Sequence, residues 1–186
     1  PNKTKPQQKK NTILNHPLLY LSRTHTPPHS MSAPDHPQDV QAPPVVDRIG
    51  CHAIMSVFEK YVYPTVIATS AASIKGRGMH YLHHIVENDI HECEEHLYYY
   101  QCDIYHFYDS INQDLMYADL KEYVSDPIIL KIFSNFVHLL PNGLSKGLRS
   151  SQCFANLHLS PIDHHMKEVE GVRYYYRYCD DIVMMS

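Results

Sequence analysis

Prolines are distributed very unevenly along this chain: nine of the 13 fall within residues 1–44. Proline has no backbone donor and a fixed φ, so a segment this rich in it suits neither a helix interior nor a central strand. The same stretch holds no cysteine, glutamate or phenylalanine and is filled with Lys, Gln, Ser, Thr and His. It is expected to bury little surface and to be extended or disordered. A folded unit must therefore come from the rest of the 186 residues, a length that suits one domain. Charge divides at the same place. Lys3, Lys5, Lys9, Lys10 and Arg23 against Asp35 and Asp39 make the head about +3, leaving about −7 on the body of a chain of formal net charge −4. Such a balance argues against a basic nucleic-acid wrapper.

The body has enough apolar material for a core, and its apolar stretches are broken too often for a membrane span. The N-terminus runs from Lys into Gln and Asn without an apolar signal core, so no secretory peptide is expected. Cys51, Cys93, Cys102, Cys153 and Cys179 form no C-x-x-C pair, which fits a reduced, cytoplasmic protein. His80, His83, His84, His91 and His96 crowd around Cys93. Imidazoles one helical turn apart can converge on a zinc ion, or simply be solvated on a helix face, and the spacing fits no finger pattern.

From Val45 a regular pattern begins. Ile49, Ala53, Ile54, Val57, Phe58 and Tyr61 have the spacing of an amphipathic helix that Pro64 ends. Ser73–Gly78 reads as a short basic glycine loop. Met79, Leu82, Val86, Ile90, Cys93 and Leu97 mark the apolar stripe of a second helix, with Glu87, Asp89, Glu92, Glu94 and Glu95 on a solvated face. The aromatic run from Tyr98 to Tyr105 predicts a strand. Asn112 caps a short helix through Leu115 and Leu120, Asp126-Pro127 starts another through Ile129, Ile132, Phe133, Phe136 and Leu140, and Asn142-Gly143 is a turn. A further helix is expected over 151–165, kinked or divided by Pro161. Val172–Tyr178 and Ile182–Met185 then form a hairpin with acids at its tip. The fold class is α+β, an antiparallel sheet backed by helices.

Asp180-Asp181 alone would most simply be a solvated turn pair. Asp103 changes this, because it lies in an apolar and aromatic strand where a lone carboxylate is costly. A divalent cation would remove that cost. Hard oxygen ligands on adjacent strands suit Mg²⁺, and two such ions can activate a hydroxyl and stabilise a leaving pyrophosphate.

These residues resemble those of reverse transcriptases, especially the bacterial types related to group II introns and diversity-generating retroelements. Tyr178-Cys179-Asp180-Asp181 is similar to the family's Y-x-D-D box, and Asp103-Ile104-Tyr105-His106-Phe107-Tyr108 to its aspartate-to-aromatic box. The run from Gly143 to Leu157 resembles the glycine loop and helix that line nucleotide and template. Asp47-Arg48-Ile49, His52-Ala53-Ile54-Met55 and Lys75-Gly76-Arg77-Gly78 look like fingers segments. The resemblance covers residues 45–186 in four ordered blocks. It implies partial helical fingers over 45–97 and a polymerase palm over 98–186.

The implied activity is RNA-directed DNA synthesis: deoxynucleotides pass from dNTPs to a primer 3′ hydroxyl, DNA or RNA, along an RNA template. Asp103, Asp180 and Asp181 would form the acidic centre for two Mg²⁺ ions, with Mn²⁺ as a substitute and the Ile104 backbone as a further ligand. Tyr108 would be the steric gate against the ribose 2′-hydroxyl, or else a core tyrosine. The amides of His106 and Phe107 would face the triphosphate, and Gly147 would let backbone approach the nucleotide. Gln152 and Asn156 would lie on the helix behind, and Cys179 near the primer end. Lys75 and Arg77 would touch template phosphates or be solvated.

Against the family pattern, Ser145 stands where proline is usual and implies a less rigid loop. Lys146 replaces glutamine or an apolar residue, to contact phosphate or be exposed. The head offers no equivalent of the first fingers strands. The chain stops at Ser186, in the second arm of the hairpin, so the rest of the palm, the primer grip and the thumb are expected to be missing and the chain alone to extend no primer. The alternative is an inactive remnant or nucleic-acid-binding module that kept the motifs. RNA-directed RNA synthesis is a nearer rival, disfavoured by the bulk of Tyr108.

Overall fold

The computed structural model describes residues 43–93 and 98–186, so the proline-rich head up to residue 42 lies outside the described residues, as do Glu94, Glu95, His96 and Leu97. The chain forms helices α1 (Val45–Val62) and α2 (Met79–Glu92), strand β1 (Tyr99–Asp103), a single turn α3 (Phe107–Ser110), helices α4 (Gln113–Tyr123), α5 (Pro127–Val137) and α6 (Arg149–Met166), and strands β2 (Tyr174–Tyr178) and β3 (Asp181–Met185). It is an α+β arrangement with a small antiparallel sheet of order β1-β3-β2. Among the described residues no helix is long and apolar enough to cross a membrane.

Several helix starts follow from local chemistry. The Asn112 side chain accepts from the amides of Asp114 and Leu115 at 2.9 and 3.1 Å, and Asp126 accepts from Ile128 and Ile129 at 2.7 and 3.2 Å. Each satisfies donors that the first helical turn leaves without a partner. Pro127 follows Asp126 as the first helical residue, where its missing N–H costs nothing. Pro161 lies inside α6, yet one assigned helix runs through it from Arg149 to Met166.

The main core joins α1, α4, α5 and α6 around Met55, Phe58, Phe133, Phe136 and Phe154. Phe58 packs against Phe133 at 4.7 Å between ring centroids, and Phe133 against Phe154 at 5.3 Å. A smaller cluster of Ala71, Leu82, Tyr176 and Met185 seats α2 on the sheet. The face of α1 differs from the periodic expectation. Cys51, Met55, Phe58, Glu59 and Val62 turn inward, whereas Ile49, Ala53, Val57 and Tyr61 are exposed. Cys51, Met55, Phe58 and Val62 form an apolar stripe of their own at helical spacing, and Glu59 is buried beside it because Arg149 at the start of α6 donates through Nε to Glu59 at 2.7 Å and pairs with it again through Nη2 at 2.5 Å. The acid face of α2 is also only partly solvated, because Asp89 accepts the Tyr176 hydroxyl at 2.6 Å.

The strand that carries Asp103 is shorter than expected, ending at that residue, and all five of its residues are exposed, so Asp103 does not bear the burial cost that its apolar and aromatic neighbours suggested. Asp181 opens β3, so the hairpin turn consists of Cys179 and Asp180 alone.

Between α5 and α6, the loop at Gly143 is clamped onto α3. Leu144 N donates to the Tyr108 carbonyl at 2.7 Å, and a Cβ on Gly143 would lie 2.3 Å from that oxygen and 2.6 Å from the Asp109 Cα. The φ of +65° is itself unfavourable for other residues. Gly143→Ala is expected to lower the unfolding free energy by about 3 kcal/mol, measured by urea denaturation. An unchanged midpoint would show that the loop does not hold α3 in place.

Candidate active site

Arg177 is the residue on which the hairpin rests. Its side chain is 1% exposed and that of Asp163 on α6 is fully enclosed. Nε and Nη2 of Arg177 donate to the two Asp163 oxygens, each at 2.7 Å, and Nη1 donates to the Asn156 side-chain oxygen at 3.1 Å and to the Cys179 carbonyl at 2.8 Å. The planar fork of a guanidinium suits such a bidentate pair. Backbone bonds add to this: Arg177 N donates to Thr69 at 3.0 Å, and Ala71 N to Arg177 at 3.2 Å, covering the outer edge of β2. Cys179 has φ +56°, a left-handed conformation normally left to Gly or Asn in two-residue hairpin turns. Holding its carbonyl from below fixes the turn that carries Asp180.

The β1–β3 register sets Asp103 opposite Asp181. Directly opposed residues share a face of the sheet, with Cβ atoms about 5 Å apart. Ile104 N donates to the Asp180 carbonyl at 3.3 Å, locking β1 to the turn. Asp103 and Asp180 both line an open cleft of about 550 Å³, and Asp181 stands beside them. Burial pushes the Asp180 carboxyl above its ordinary value, and the nearby charges of Asp103 and Asp181 push it the same way, while Lys146 opposes them. Asp103, Asp180 and Asp181 thus stand at one end of the sheet, but the ligand atoms that gather within 4.8 Å of one another among the described residues are those of His83, His84 and Glu87, not of these three acids.

The other walls come from His106 and the α3 residues Phe107 and Tyr108, from Ser145, Lys146 and Gly147 in the loop before α6, and from Ser151 and Gln152 at the start of α6. The Tyr108 hydroxyl lies against Cys179, and burial, then the charges around it, raise its pKa, so it stays a neutral donor. His106 has φ +48°, Ser73 φ +58° and Gly147 φ +98°. Ser73 donates to the Gln152 side chain, linking the loop before α2 to the cleft wall. Left-handed non-glycine residues cost about 1–3 kcal/mol each and tend to gather at functional sites; here His106 and Cys179 flank one cleft. Lys146 Nζ contacts Asp109 at 2.7 Å, and this hydrogen bond leads the causes that hold the Asp109 carboxyl below its usual range. The Phe107 amide donates to the Ile104 carbonyl at 3.1 Å and is thereby engaged within its own turn. Ser151 is 1% exposed and its hydroxyl has no hydrogen-bond partner among the described residues.

The cleft thus gathers Asp103, Ile104, His106, Phe107, Tyr108, Lys146, Gly147, Gln152 and Asp180. Lys75 and Arg77 do not line it. Arg77 turns inward and donates from Nη1 to the carbonyls of Ile67 and Ser70 at 2.7 and 3.0 Å, bracing the loop that covers β2. Of the histidine cluster, His83 and His84 converge with Glu87 on an exposed face; His80, His91 and Cys93 are not part of that group, and His96 lies outside the described residues. Residues missed by pattern reading are Arg177, Asp163 and Ser151. Only the position of Arg177 beside Tyr178 hinted at a role, since a charge inside an aromatic strand requires a buried partner. No protein-family profile matches the chain, and no curated protein does so either.

Because the folded state holds a proton on Asp180 more tightly than the unfolded chain, its ionisation works against the fold. Stability should fall as pH rises through the ordinary aspartate range to the raised value. Without metal, Asp180→Asn is expected to melt above the wild type at neutral pH, with the difference vanishing in acid. Mg²⁺ should raise the melting temperature of the wild type only. Calorimetry checks both; a variant that melts lower at every pH would show that Asp180 is stabilised by its surroundings.

Proposed function

We propose that this chain carries the palm of an RNA-directed DNA polymerase, with partial helical fingers, and that its cleft binds a deoxynucleoside triphosphate beside a primer 3′ hydroxyl. One observation carries the reading. Antiparallel pairing brings Asp103 from one motif opposite Asp181 of the other, next to Asp180, at a cleft that both motifs and the glycine loop line together. Asp103 and Asp180, far apart in sequence, both line this cleft, and Asp181 stands opposite Asp103 in the sheet.

In nucleotidyl transfer the primer oxygen forms a bond to the α-phosphorus, the bond to the bridging oxygen breaks, and pyrophosphate leaves with the electron pair. Asp103, Asp180 and Asp181 would hold Mg²⁺ or Mn²⁺, which when bound eases ionisation of the hydroxyl and neutralises the leaving charge. The chain's own groups supply position. Lys146, at the cleft wall, is placed to exchange its Asp109 contact for a phosphate oxygen. Gly147, with no Cβ, permits close backbone approach. Tyr108, held by its contact with Cys179, presents a ring to the sugar. Orientation of this sort accounts for much of the rate in phosphoryl chemistry.

Mg²⁺-dependent binding of dTTP, followed by calorimetry, tests the reading without requiring turnover. Asp180→Ala is expected to weaken binding at least about tenfold with an unchanged circular dichroism spectrum. Binding that ignores both metal and that substitution would overturn the assignment. Tyr108→Ala is expected to bring UTP affinity close to that of dTTP, whereas a wild type that already binds both equally would remove the gate role. Extension of oligo(dT) on poly(rA) separates an active enzyme from a binding module.

A further inference from the structure

The outward face of α2 is no part of the cleft lining. The helix buries Leu82 and turns Asp89 toward Tyr176, which fixes its rotation and leaves His80, His83, His84, Glu87 and His91 exposed. His83 Nδ1 lies 3.8 Å from Glu87 Oε2, and His84 Nδ1 lies 3.7 Å from the same oxygen. The three ligand atoms all fall within 4.8 Å of one another. At 3.7 and 3.8 Å none of these contacts is a hydrogen bond. They instead approach the ligand spacing of about 3.3 Å that a tetrahedral ion requires at its usual bond length of about 2.0–2.1 Å. Closing the remaining gap needs only rotation of side chains that are half or more exposed.

We infer that His83, His84 and Glu87 form a surface site for a borderline transition metal such as Zn²⁺ or Ni²⁺, with water completing the coordination. Two imidazoles and one carboxylate favour those ions over Mg²⁺, which prefers oxygen ligands. The donor set therefore differs in kind from the three carboxylates of the cleft. A helix also suits the role, because residues three and four apart on it are neighbours whatever the rest of the chain does. The inference is independent of the polymerase reading.

Zn²⁺ titration of the full chain by calorimetry, with Co²⁺ absorption as a second readout, provides the test. Histidines elsewhere can also take up zinc, so the decisive quantity is the difference between variants. His83→Ala, His84→Ala and Glu87→Gln should each weaken one site at least about tenfold, and the double histidine variant should lose one equivalent. Asp180→Asn should leave intact the site that the double histidine variant loses. His83, His84 and Glu87 are exposed, so a circular dichroism spectrum matching the wild type is expected for their variants. A zinc stoichiometry and affinity unaltered by removing both histidines would overturn the site, as would a wild type that binds no zinc.

Discussion

A single buried ion pair organises the part of this molecule where chemistry could occur. Arg177 reaches Asp163 with two donors and Asn156 and the Cys179 carbonyl with a third nitrogen, so helix α6, strand β2 and the hairpin turn are tied at one point. Burying both charges is tolerable only because each has its partners; removal of one member of such a pair typically costs about 3–5 kcal/mol. The strain at Cys179 and the repulsion at Asp180 both sit directly above this pair.

That arrangement explains how a sheet of three strands can hold three acids together. β3 is the central strand, so Asp181 faces Asp103 on one side and Tyr178 on the other. Neither edge alone would fix the turn. The Arg77 guanidinium supports the loop that covers β2, and Gly143 lets the loop after α5 press on α3, which carries Tyr108. Each supporting contact lies outside the cleft and determines where a cleft residue stands.

Much of this was legible in the sequence where the deciding interaction is local. Asn112 and Asp126 cap their helices because the capping oxygen and the amides it serves are two and three residues apart. The hairpin was legible because two β-favouring runs flank a short polar connection, although the sequence pattern set both acids at its tip and the structure pairs Asp181 within β3. The inward face of α1 follows Cys51, Met55, Phe58 and Val62, a stripe that competes with the one through Ile49, Ala53 and Val57, whereas the burial of Glu59 was not legible because its partner Arg149 is 90 positions away. Asp89 escaped for the same reason through Tyr176. Arg77 looked like a phosphate contact, and its carbonyl partners could be seen only once the loop had folded. Asp103, Asp180 and Asp181 stood out by their resemblance to a known motif, but the buried pair of Arg177 and Asp163 did not, because no local pattern announces a partner on another element.

We propose that Asp103, Asp180 and Asp181 act as one divalent-cation centre. Electron paramagnetic resonance of Mn²⁺ titrated into the chain tests this most directly, because bound ion loses the free-ion signal. Uptake is expected in the wild type, weakened at least about tenfold by Asp103→Asn and by Asp180→Asn and unaltered by His83→Ala. Mn²⁺ uptake unchanged in both aspartate variants, or no uptake by the wild type, would contradict it.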